Sequence, residues 1–258
     1  MNTPTPNLII PFEPQNIPGL VSFWDFDRSG TDFVAQQGEP YCLRSRSGPL
    51  DVVEDPAAYG GRALQIREGQ WLAIPRHECP RLDIHGKDGH LTVIAWIHRG
   101  RTAHDHCEFI AGQWNESSRG RQYGLFLNIT VWGPKNRIFG HLSNVGGPTP
   151  GYKYCMDGPM GATEIAHDAW QVVAMTYDGQ AGCAWLNGLP DGHSNVNPYP
   201  LPGGLHNGGP SGSDFTVGAV DRSGEMGNFF CGRIAALAVY ARALTPAEMF
   251  ALGRKGAL

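Results

Sequence analysis

The chain has 258 residues, a formal net charge of −4 and a hydrophobic content of 41%. This hydrophobic fraction supports a substantial core and argues against a disordered chain, and the acidic balance gives no reason to expect a nucleic-acid partner. No apolar run approaches the length of a membrane span, so we expect no membrane partner. The 35 glycines and 20 prolines are typical of a chain with many short strands joined by turns.

The proline-rich start of the chain predicts an extended lead-in over residues 1–18, followed by a single domain over 19–258. This start has neither a basic segment nor a long apolar segment, so it does not fit a secretory signal. We therefore expect a cytoplasmic protein if Met1 is the native start, and a secreted or periplasmic one if a signal was removed ahead of it. The six cysteines are spaced singly, which predicts free thiols, and the oligomeric state is left open.

Short segments with period-two alternation and many β-branched or aromatic residues predict the strands of this domain. They lie near 19–27, 62–66, 71–75, 91–98, 107–112, 122–129, 137–142, 170–177, 181–187, 214–219 and 229–240.

Two turns are marked by their residues. Asp178-Gly179 follows the strand at 170–177 and predicts a two-residue type I′ hairpin turn, in which both central residues have positive φ. Asn187-Gly188 predicts a second turn after the next strand.

Two long segments, 143–169 and 189–213, are rich in glycine and proline and predict loops. Tyr152, Tyr154 and Met156 argue against disorder in the first of them. Near the C-terminus, Thr245-Pro-Ala-Glu248 has the pattern of a capping box and predicts the start of a short helix.

Five segments of this chain are similar to those of a known family. They are the strand-turn-strand run from Trp170 to Gly188, the first strand Gly19–Asp27, the closing strand Phe230–Tyr240 with its exit Ala241–Glu248, and the strand Leu91–Ile97. Together they resemble the laminin G-like and pentraxin-like domains of the concanavalin A-like lectin/glucanase superfamily, and the resemblance spans almost the whole chain.

The resemblance implies an all-β fold, a two-sheet antiparallel jelly-roll sandwich of the concanavalin A-like type with one short C-terminal helix. It also implies that Trp96 and Val173 are buried between or beneath the sheets, and that carbohydrate is the leading class of partner. It is nearly silent on activity, because lectins, adhesion modules, glycosidases and lyases share this sandwich.

The middle of the chain is dense in residue types that bind sugars. Aromatic rings stack on the apolar faces of sugar rings, while amide, guanidinium and carboxylate groups pair with the hydroxyls. The predicted substrate-binding residues are Gln113, Trp114, Asn115, Arg121, Gln122 and Tyr152. The alternative is that the aromatic residues belong to the core and the polar residues to a solvated rim.

Among enzyme chemistries, a lyase fits these residue types best. Elimination next to a uronate needs a proton-transferring group, and lyases with this fold use Tyr or His, which makes His141, Tyr123 and Tyr154 the predicted catalytic residues. Hydrolysis needs two carboxylates at a fixed separation. The strand motif Glu-x-Asp-x-x-Glu of the jelly-roll glucanases is absent, so a glycosidase is the weaker hypothesis.

The sequence contains two candidate metal sites. His104, His106 and Glu108 would project to one face of a strand, as in centres with two His and one carboxylate, although a polar surface loop is the simpler reading. Ca²⁺ is a possible cofactor because pentraxin-like relatives bind it on edge loops. Asp27 and Asp221 are its candidate ligands, and each could instead cap its own turn.

The sequence therefore predicts a carbohydrate-recognising jelly roll that acts on an oligosaccharide or polysaccharide. An enzyme is favoured because the predicted domain stands alone and shows no export signal. The alternative is a non-catalytic, lectin-like carbohydrate-binding module. A protein-interaction domain of the adhesion type is disfavoured by the same missing signal.

Overall fold

The structure is a computed structural model that describes residues 13–102, 105–117, 119–193 and 195–254. Within these residues the chain is built from short β-strands. In chain order they are β1 (Leu20–Trp24), β2 (Asp32–Val34), β3 (Gln37–Gly38), β4 (Cys42–Ser45), β5 (Val52–Glu54), β6 (Arg62–Ile66), β7 (Leu72–Ile74), β8 (Leu91–Arg99), β9 (Glu108–Gln113), β10 (Tyr123–Leu127), β11 (Ile138–Leu142), β12 (Trp170–Tyr177), β13 (Ala181–Leu186), β14 (Leu189–Pro190), β15 (Tyr199–Pro200), β16 (Phe215–Val217), β17 (Val220–Asp221), β18 (Met226–Gly227) and β19 (Gly232–Tyr240).

These strands form two large antiparallel sheets. The ten-stranded sheet has the order β14-β13-β12-β8-β19-β1-β3, with β15 paired to β13 and with β6 joining β5 to β19. The seven-stranded sheet has the order β11-β10-β9-β16-β7-β4-β2, and β17 and β18 form a separate hairpin. The predicted all-β, two-sheet jelly-roll sandwich is confirmed.

The main core lies between the two sheets and is filled by alternate residues of their strands. Val173 and Tyr177 of β12 pack there with Tyr123 of the opposite sheet. Trp96 lies in a second cluster on the outer face of the ten-stranded sheet, with Val172. Both Trp96 and Val173 are fully buried, as predicted. The two-residue alternation of β12 thus divides its side chains between two apolar environments.

A third apolar cluster covers the outer face of the seven-stranded sheet. It contains Phe109, Trp114, Phe126, Phe139 and Cys155, among other buried residues. We call it the outer aromatic cluster. Because these residues alternate with the core residues of β9, β10 and β11, the same strands supply both the sandwich core and a second packed surface.

The turn after β12 differs from the prediction. Asp178, Gly179 and Gln180 make a three-residue loop in which Gly179 alone has positive φ, at 86°. The Asp178 carboxylate accepts hydrogen bonds from the backbone N–H groups of Gln180 and Ala181, which holds the loop without a type I′ turn.

The second turn has the two-residue geometry instead. Asn187 and Gly188 have φ of 50° and 80°, and they connect the paired residues Leu186 and Leu189. Both central residues therefore adopt the left-handed conformation that the type I′ hairpin requires.

The predicted helix is present as α1 (Pro246–Gly253). Its capping box is complete, because Thr245 Oγ1 accepts from the Glu248 N–H and Glu248 Oε2 accepts from the Thr245 N–H. No helix in the described part of the chain is long and apolar enough to span a membrane.

The lead-in is only partly described, because residues 1–12 lie outside the described residues. Its later part forms a 3₁₀ turn at Pro14–Asn16, where the Pro14 carbonyl accepts the Tyr240 hydroxyl at 2.9 Å. Further 3₁₀ turns lie at Tyr59–Gly61, Arg76–Glu78 and Gly209–Ser211. All six cysteines are free.

Candidate functional site

A cavity of about 440 Å³ opens on the outer face of the seven-stranded sheet, beside the outer aromatic cluster. We call it the Arg121 cavity. Its wall includes Trp114, and its polar lining residues are Asp105, His106, Glu116, Arg121, Asn128, Thr130, His141, Tyr154, Arg222 and Asn228. It is therefore a mixed polar and aromatic concavity of the kind that binds small ligands.

Two glycines shape the sheet beneath this cavity. Gly112 of β9 pairs with Gly124 of β10, and Gly124 pairs with His141 of β11, so the three residues form a row across the sheet. A Cβ atom on Gly124 would lie 2.8 Å from the Phe126 ring and 2.9 Å from the Phe109 ring. The missing side chain at Gly124 therefore allows these rings to pack on the sheet beside His141.

The His141 imidazole is enclosed by aromatic rings. It stacks on Trp114 with 4.8 Å between centroids and 24° between planes, and its centroid is 4.4 Å from that of Phe139 and 5.1 Å from that of Phe126. Its Nδ1 lies 3.3 Å from the Asp157 carbonyl oxygen. A neutral imidazole that donates from Nδ1 keeps Nε2 as a hydrogen-bond acceptor.

Burial lowers the pKa of His141 to about 3. The hydrogen bond to the Asp157 carbonyl acts in the opposite direction, and the nearby Arg121 charge adds to the lowering. His141 is therefore neutral at physiological pH.

Arg121 brings a positive charge to the cavity. Its side chain is only 7% exposed, and its guanidinium carbon lies 6.0 Å from the centroid of the Trp114 ring. Within the described residues, neither a hydrogen bond from this guanidinium nor an ion pair is found. Arg121 is thus a nearly buried cation in the cavity lining whose guanidinium has no hydrogen-bonded or ion-paired partner among the described residues.

The rim of the cavity is fixed by local hydrogen bonds. Asn128, with φ of 59°, donates from Nδ2 to the His106 carbonyl at 3.0 Å and accepts from the Asn136 N–H at 2.8 Å. Asp105 pairs with Lys135, and the hydrogen bond from Lys135 lowers the pKa of Asp105. The negative charge of Asp105 is therefore largely offset at this side of the cavity.

Part of the predicted 143–169 loop forms another side of the cavity through Tyr154 and Cys155. Asp157 holds this part in place, because its carboxylate accepts the Thr149 hydroxyl at 2.6 Å and the Tyr199 hydroxyl at 2.9 Å. The Tyr154 side chain is 55% exposed. Tyr154 thus places an exposed aromatic ring beside the polar groups of the cavity.

Four of the predicted substrate-binding and catalytic residues line the same cavity: Trp114, Arg121, His141 and Tyr154. Tyr123 lies in the core between the sheets, where its hydroxyl donates to the Leu82 carbonyl at 2.7 Å, so it does not reach the cavity.

Three other predicted sugar-binding residues lie elsewhere. Gln113 is buried at the register position between Tyr123 and Phe215 on the core side of the sheet. Gln122 is held by Arg76 and by Asp83. Tyr152 is exposed and does not line the cavity.

Asn115 lies across Trp114 from the Arg121 cavity. Its Oδ1 accepts from the Ser117 N–H at 2.7 Å, and the residue lines a second, smaller cavity.

Among the predicted metal residues that the structure describes, Glu108 and Asp221 have other partners. His104 lies outside the described residues, while Glu108 is fully buried in an ion pair with Arg99, at 2.6 Å. Asp27 is exposed, and Asp221 Oδ1 caps its own turn by accepting from the Gly224 N–H. Among the described residues, no group of three or more His, Cys, Asp or Glu residues could hold a metal ion.

Several lining residues were not among the predicted site residues. Glu116 and Asn128 lie in the central polar stretch of the sequence, whereas Arg222 and Asn228 come from a segment about a hundred residues later. The Asp-Arg-Ser-Gly turn around Arg222 was the only signal in that segment, and by itself it indicates a turn rather than a binding residue.

Comparison with known proteins gives a family match. A family model described as the concanavalin A-like lectin/glucanases superfamily matches residues 68–249. No curated protein sequence matches the chain.

Several solved structures share the fold at low identity. Trypanosoma rangeli sialidase in complex with sialic acid gives a TM-score of 0.59 at 12% identity, over 92% of this chain and 33% of the sialidase. This chain thus spans about a third of the sialidase chains that it matches.

Two further structures align over most of this chain. Domain 4 of AbnA, a GH43 extracellular arabinanase from Geobacillus stearothermophilus solved with arabinotriose, gives a TM-score of 0.55 at 16% identity, over 91% of this chain and 98% of that domain. The binding domain of Paraclostridial Mosquitocidal Protein 1 gives 0.58 at 13% identity, over 91% and 52%. At these identities the likeness concerns the fold.

Proposed function

The chain belongs to the concanavalin A-like lectin/glucanase superfamily, and from that premise we propose that it binds a carbohydrate carrying an anionic group in the Arg121 cavity. The proposed ligand is a sugar carboxylate, such as a uronate unit of an oligosaccharide. The proposed activity is non-catalytic, lectin-like recognition.

The observation that carries this proposal is the state of Arg121. A buried charge without a partner is costly, and proteins normally pair such groups. Arg121 is nearly buried, lines a cavity and makes no ion pair among the described residues. The planar guanidinium matches a carboxylate with two parallel hydrogen bonds, which makes a sugar acid the chemistry that best fits this position.

The other lining groups suit a sugar ring. Glu116 and Asn228 supply acceptors and donors for hydroxyl groups, and the exposed ring of Tyr154 can cover an apolar sugar face. Trp114 is only 1% exposed and carries the His141 ring on one face. Its role is therefore to fix the cavity wall and hold His141, with Tyr154 as the stacking surface.

Recognition is favoured over the lyase chemistry because two of the three predicted proton carriers, His141 and Tyr123, are unsuited to the task. A base whose pKa is about 3 accepts protons poorly near neutral pH, and the Tyr123 hydroxyl is committed to a carbonyl in the core. Hydrolysis has less support, since the sequence lacks the Glu-x-Asp-x-x-Glu strand motif of the jelly-roll glucanases and the Asp105 carboxylate at the cavity is paired with Lys135.

The test is binding of a uronate methyl glycoside and of neutral methyl glycosides, measured by titration calorimetry. We expect the wild type to prefer the uronate, and Arg121→Gln to lose about 1.5–3 kcal/mol of binding free energy, which is the range for hydrogen bonds to charged groups. Arg62→Gln is the matched control, because it removes the same charge from an exposed pair with Glu54 outside the cavity. Equal affinity of wild type and Arg121→Gln would refute the proposal.

The same preparations decide between recognition and catalysis. Uronate-containing and neutral oligosaccharides are incubated with the wild type, and unsaturated products and new reducing ends are followed together. We expect binding without turnover. Turnover that Arg121→Gln abolishes would assign the cavity to an enzyme instead.

Calcium is a separate prediction that the described residues do not favour. Ca²⁺ takes six to eight oxygen ligands, whereas Asp27 is exposed and one oxygen of Asp221 is used by its own turn. We therefore derive no part of the recognition from a metal.

A further inference from the structure

A second cavity of about 270 Å³ lies on the same outer face of the seven-stranded sheet. We call it the Thr216 cavity. Trp114 lines both this cavity and the Arg121 cavity, so the two cavities are neighbours on this face. The principal lining residues are Trp71, Trp114, Asp214, Thr216, Asp221 and Met226.

Thr216 shows that this cavity is built for a polar ligand. In β16 it pairs with Gly112 on one side and with Ala73 on the other, so small residues flank it on the sheet. Its side chain is only 5% exposed, and Oγ1 has no hydrogen-bond partner among the described residues. An unmade hydrogen bond at a buried hydroxyl is unfavourable, and a ligand hydroxyl in the cavity would satisfy it.

The remaining polar groups of this cavity are acceptors. Asp214 Oδ1 accepts from the Arg76 N–H at 2.9 Å, and Asp221 Oδ1 accepts from the Gly224 N–H at 2.7 Å. The second oxygen of each carboxylate makes no hydrogen bond within the described residues. Two carboxylates with free oxygens attract hydroxyl donors and repel anions, which is the opposite preference to that of Arg121.

We propose that the Thr216 cavity is a second subsite that takes a neutral, hydroxyl-bearing sugar unit adjacent to the anionic unit at Arg121. Asp214 and Asp221 accept hydrogen bonds from its hydroxyls, Thr216 Oγ1 exchanges one with it, and Trp71 supplies the aromatic surface. The ligand is then at least a disaccharide that pairs an acidic sugar with a neutral one. This inference rests on the proposed function only for the identity of the neighbouring unit.

The cavity volume agrees with one sugar unit. Sites for drug-sized ligands occupy roughly 300–1,000 Å³, and the Thr216 cavity lies just below that range. The Arg121 cavity, at about 440 Å³, is the larger of the two. The two cavities share Trp114 as a lining residue, and neighbouring cavities of this kind suit a ligand made of linked sugar units.

The test compares three probes by titration calorimetry: a uronate methyl glycoside, a disaccharide of a uronate and a neutral hexose, and a disaccharide of two uronates. We expect the mixed disaccharide to bind about tenfold or more tighter than the methyl glycoside, since about 1.4 kcal/mol corresponds to a factor of ten. The second uronate should give no such gain, because it meets Asp214 and Asp221.

The variants Thr216→Val and Asp214→Asn assign the gain to this cavity. Valine keeps the shape of threonine without the hydroxyl, and asparagine keeps the acceptor that holds the Arg76 N–H. Both should reduce binding of the mixed disaccharide about tenfold and leave binding of the methyl glycoside unchanged. Thr31→Val, at an exposed threonine that lines neither cavity, is the control and should change nothing.

The outcomes separate this inference from the proposed function. If Arg121→Gln abolishes uronate binding but the two variants leave the mixed disaccharide unaffected, the second subsite is refuted and the first stands. If the variants weaken both ligands equally, the effect is structural and the subsite is again refuted. If binding of the uronate methyl glycoside is absent while binding of the mixed disaccharide depends on Thr216, the subsite stands and the anionic site falls.

Discussion

His141 should make the stability of this protein depend on pH in a way that a single substitution removes. In the unfolded chain the imidazole has its ordinary pKa of about 6.5. In the folded protein, burial lowers the pKa of His141 to about 3. Between these two values the unfolded chain binds a proton that the folded protein does not bind.

The sign follows from this difference. Stability is unaffected above about pH 6.5, falls as the pH drops below that value, and stops falling near pH 3, where the folded protein also takes up the proton. Each pH unit in this window costs about 1.4 kcal/mol, so that lowering the pH from about 7.5 to about 4.5 removes about 3 kcal/mol. All other titrating groups add their own pH dependence to this amount.

The substitution His141→Phe isolates the contribution of His141. Phenylalanine keeps a ring of similar size among Trp114, Phe126 and Phe139, and it cannot titrate. Urea unfolding of wild type and variant is measured at both pH values. We expect the wild type to lose about 3 kcal/mol more than the variant between them, whatever the stability of the variant at the higher pH.

His77→Phe is the control, because the His77 side chain is 83% exposed and we expect it to lose as much stability as the wild type. Equal losses in wild type and His141→Phe would refute the reasoning, since they would mean that the fold accommodates the charged imidazole. If the variant does not fold, the nitrogen chemical shifts of His141 in the wild type supply the same test. They should show no titration above about pH 4.

Two further predictions concern the buried ion pair and calcium. Glu108→Gln breaks an ion pair with Arg99 in which both side chains are 2% exposed, and urea unfolding should show that the variant loses about 3–5 kcal/mol of stability. The control Asp168→Asn breaks an exposed pair with Arg101 and should cost less than about 1 kcal/mol. Similar losses in the two variants would contradict this prediction. The calcium prediction for Asp27 and Asp221 requires that a chelator lowers the melting temperature and that added calcium restores it; an unchanged melting temperature in both conditions removes both residues as ligands.

The residue pattern was sufficient to predict most strands of the sandwich. The predicted segments 62–66 and 170–177 match β6 and β12 at both ends, because turn residues adjoin each of them, Gly60-Gly61 before the first and Asp178-Gly179 after the second. The strands β2 and β4 were missed because each of them buries a single residue, Phe33 or Leu43, whereas the similarly short β7 and β16 are buried throughout and carry a clear apolar signal. The turn after β12 was predicted at the right place, but its length was wrong, because the loop there has three residues and not two.

The local sequence predicted the residue types of the candidate site but not which of these residues share a cavity. Tyr123 and His141 have suitable chemistry and lie on neighbouring strands, but alternation does not say which face of a sheet is covered by the second sheet. The packing of the two sheets decides that Tyr123 enters the core while His141 joins the outer aromatic cluster.

The two cavities depend on contacts between distant parts of the chain. Trp114 and Thr216 are close because β9 and β16 pair side by side, although about a hundred residues separate them. The sequence by itself determined the fold class, through the spacing of apolar residues and turn residues, because burial and turn geometry act locally. The tertiary structure alone decided which polar residues share a cavity, because strand order and sheet packing bring them together.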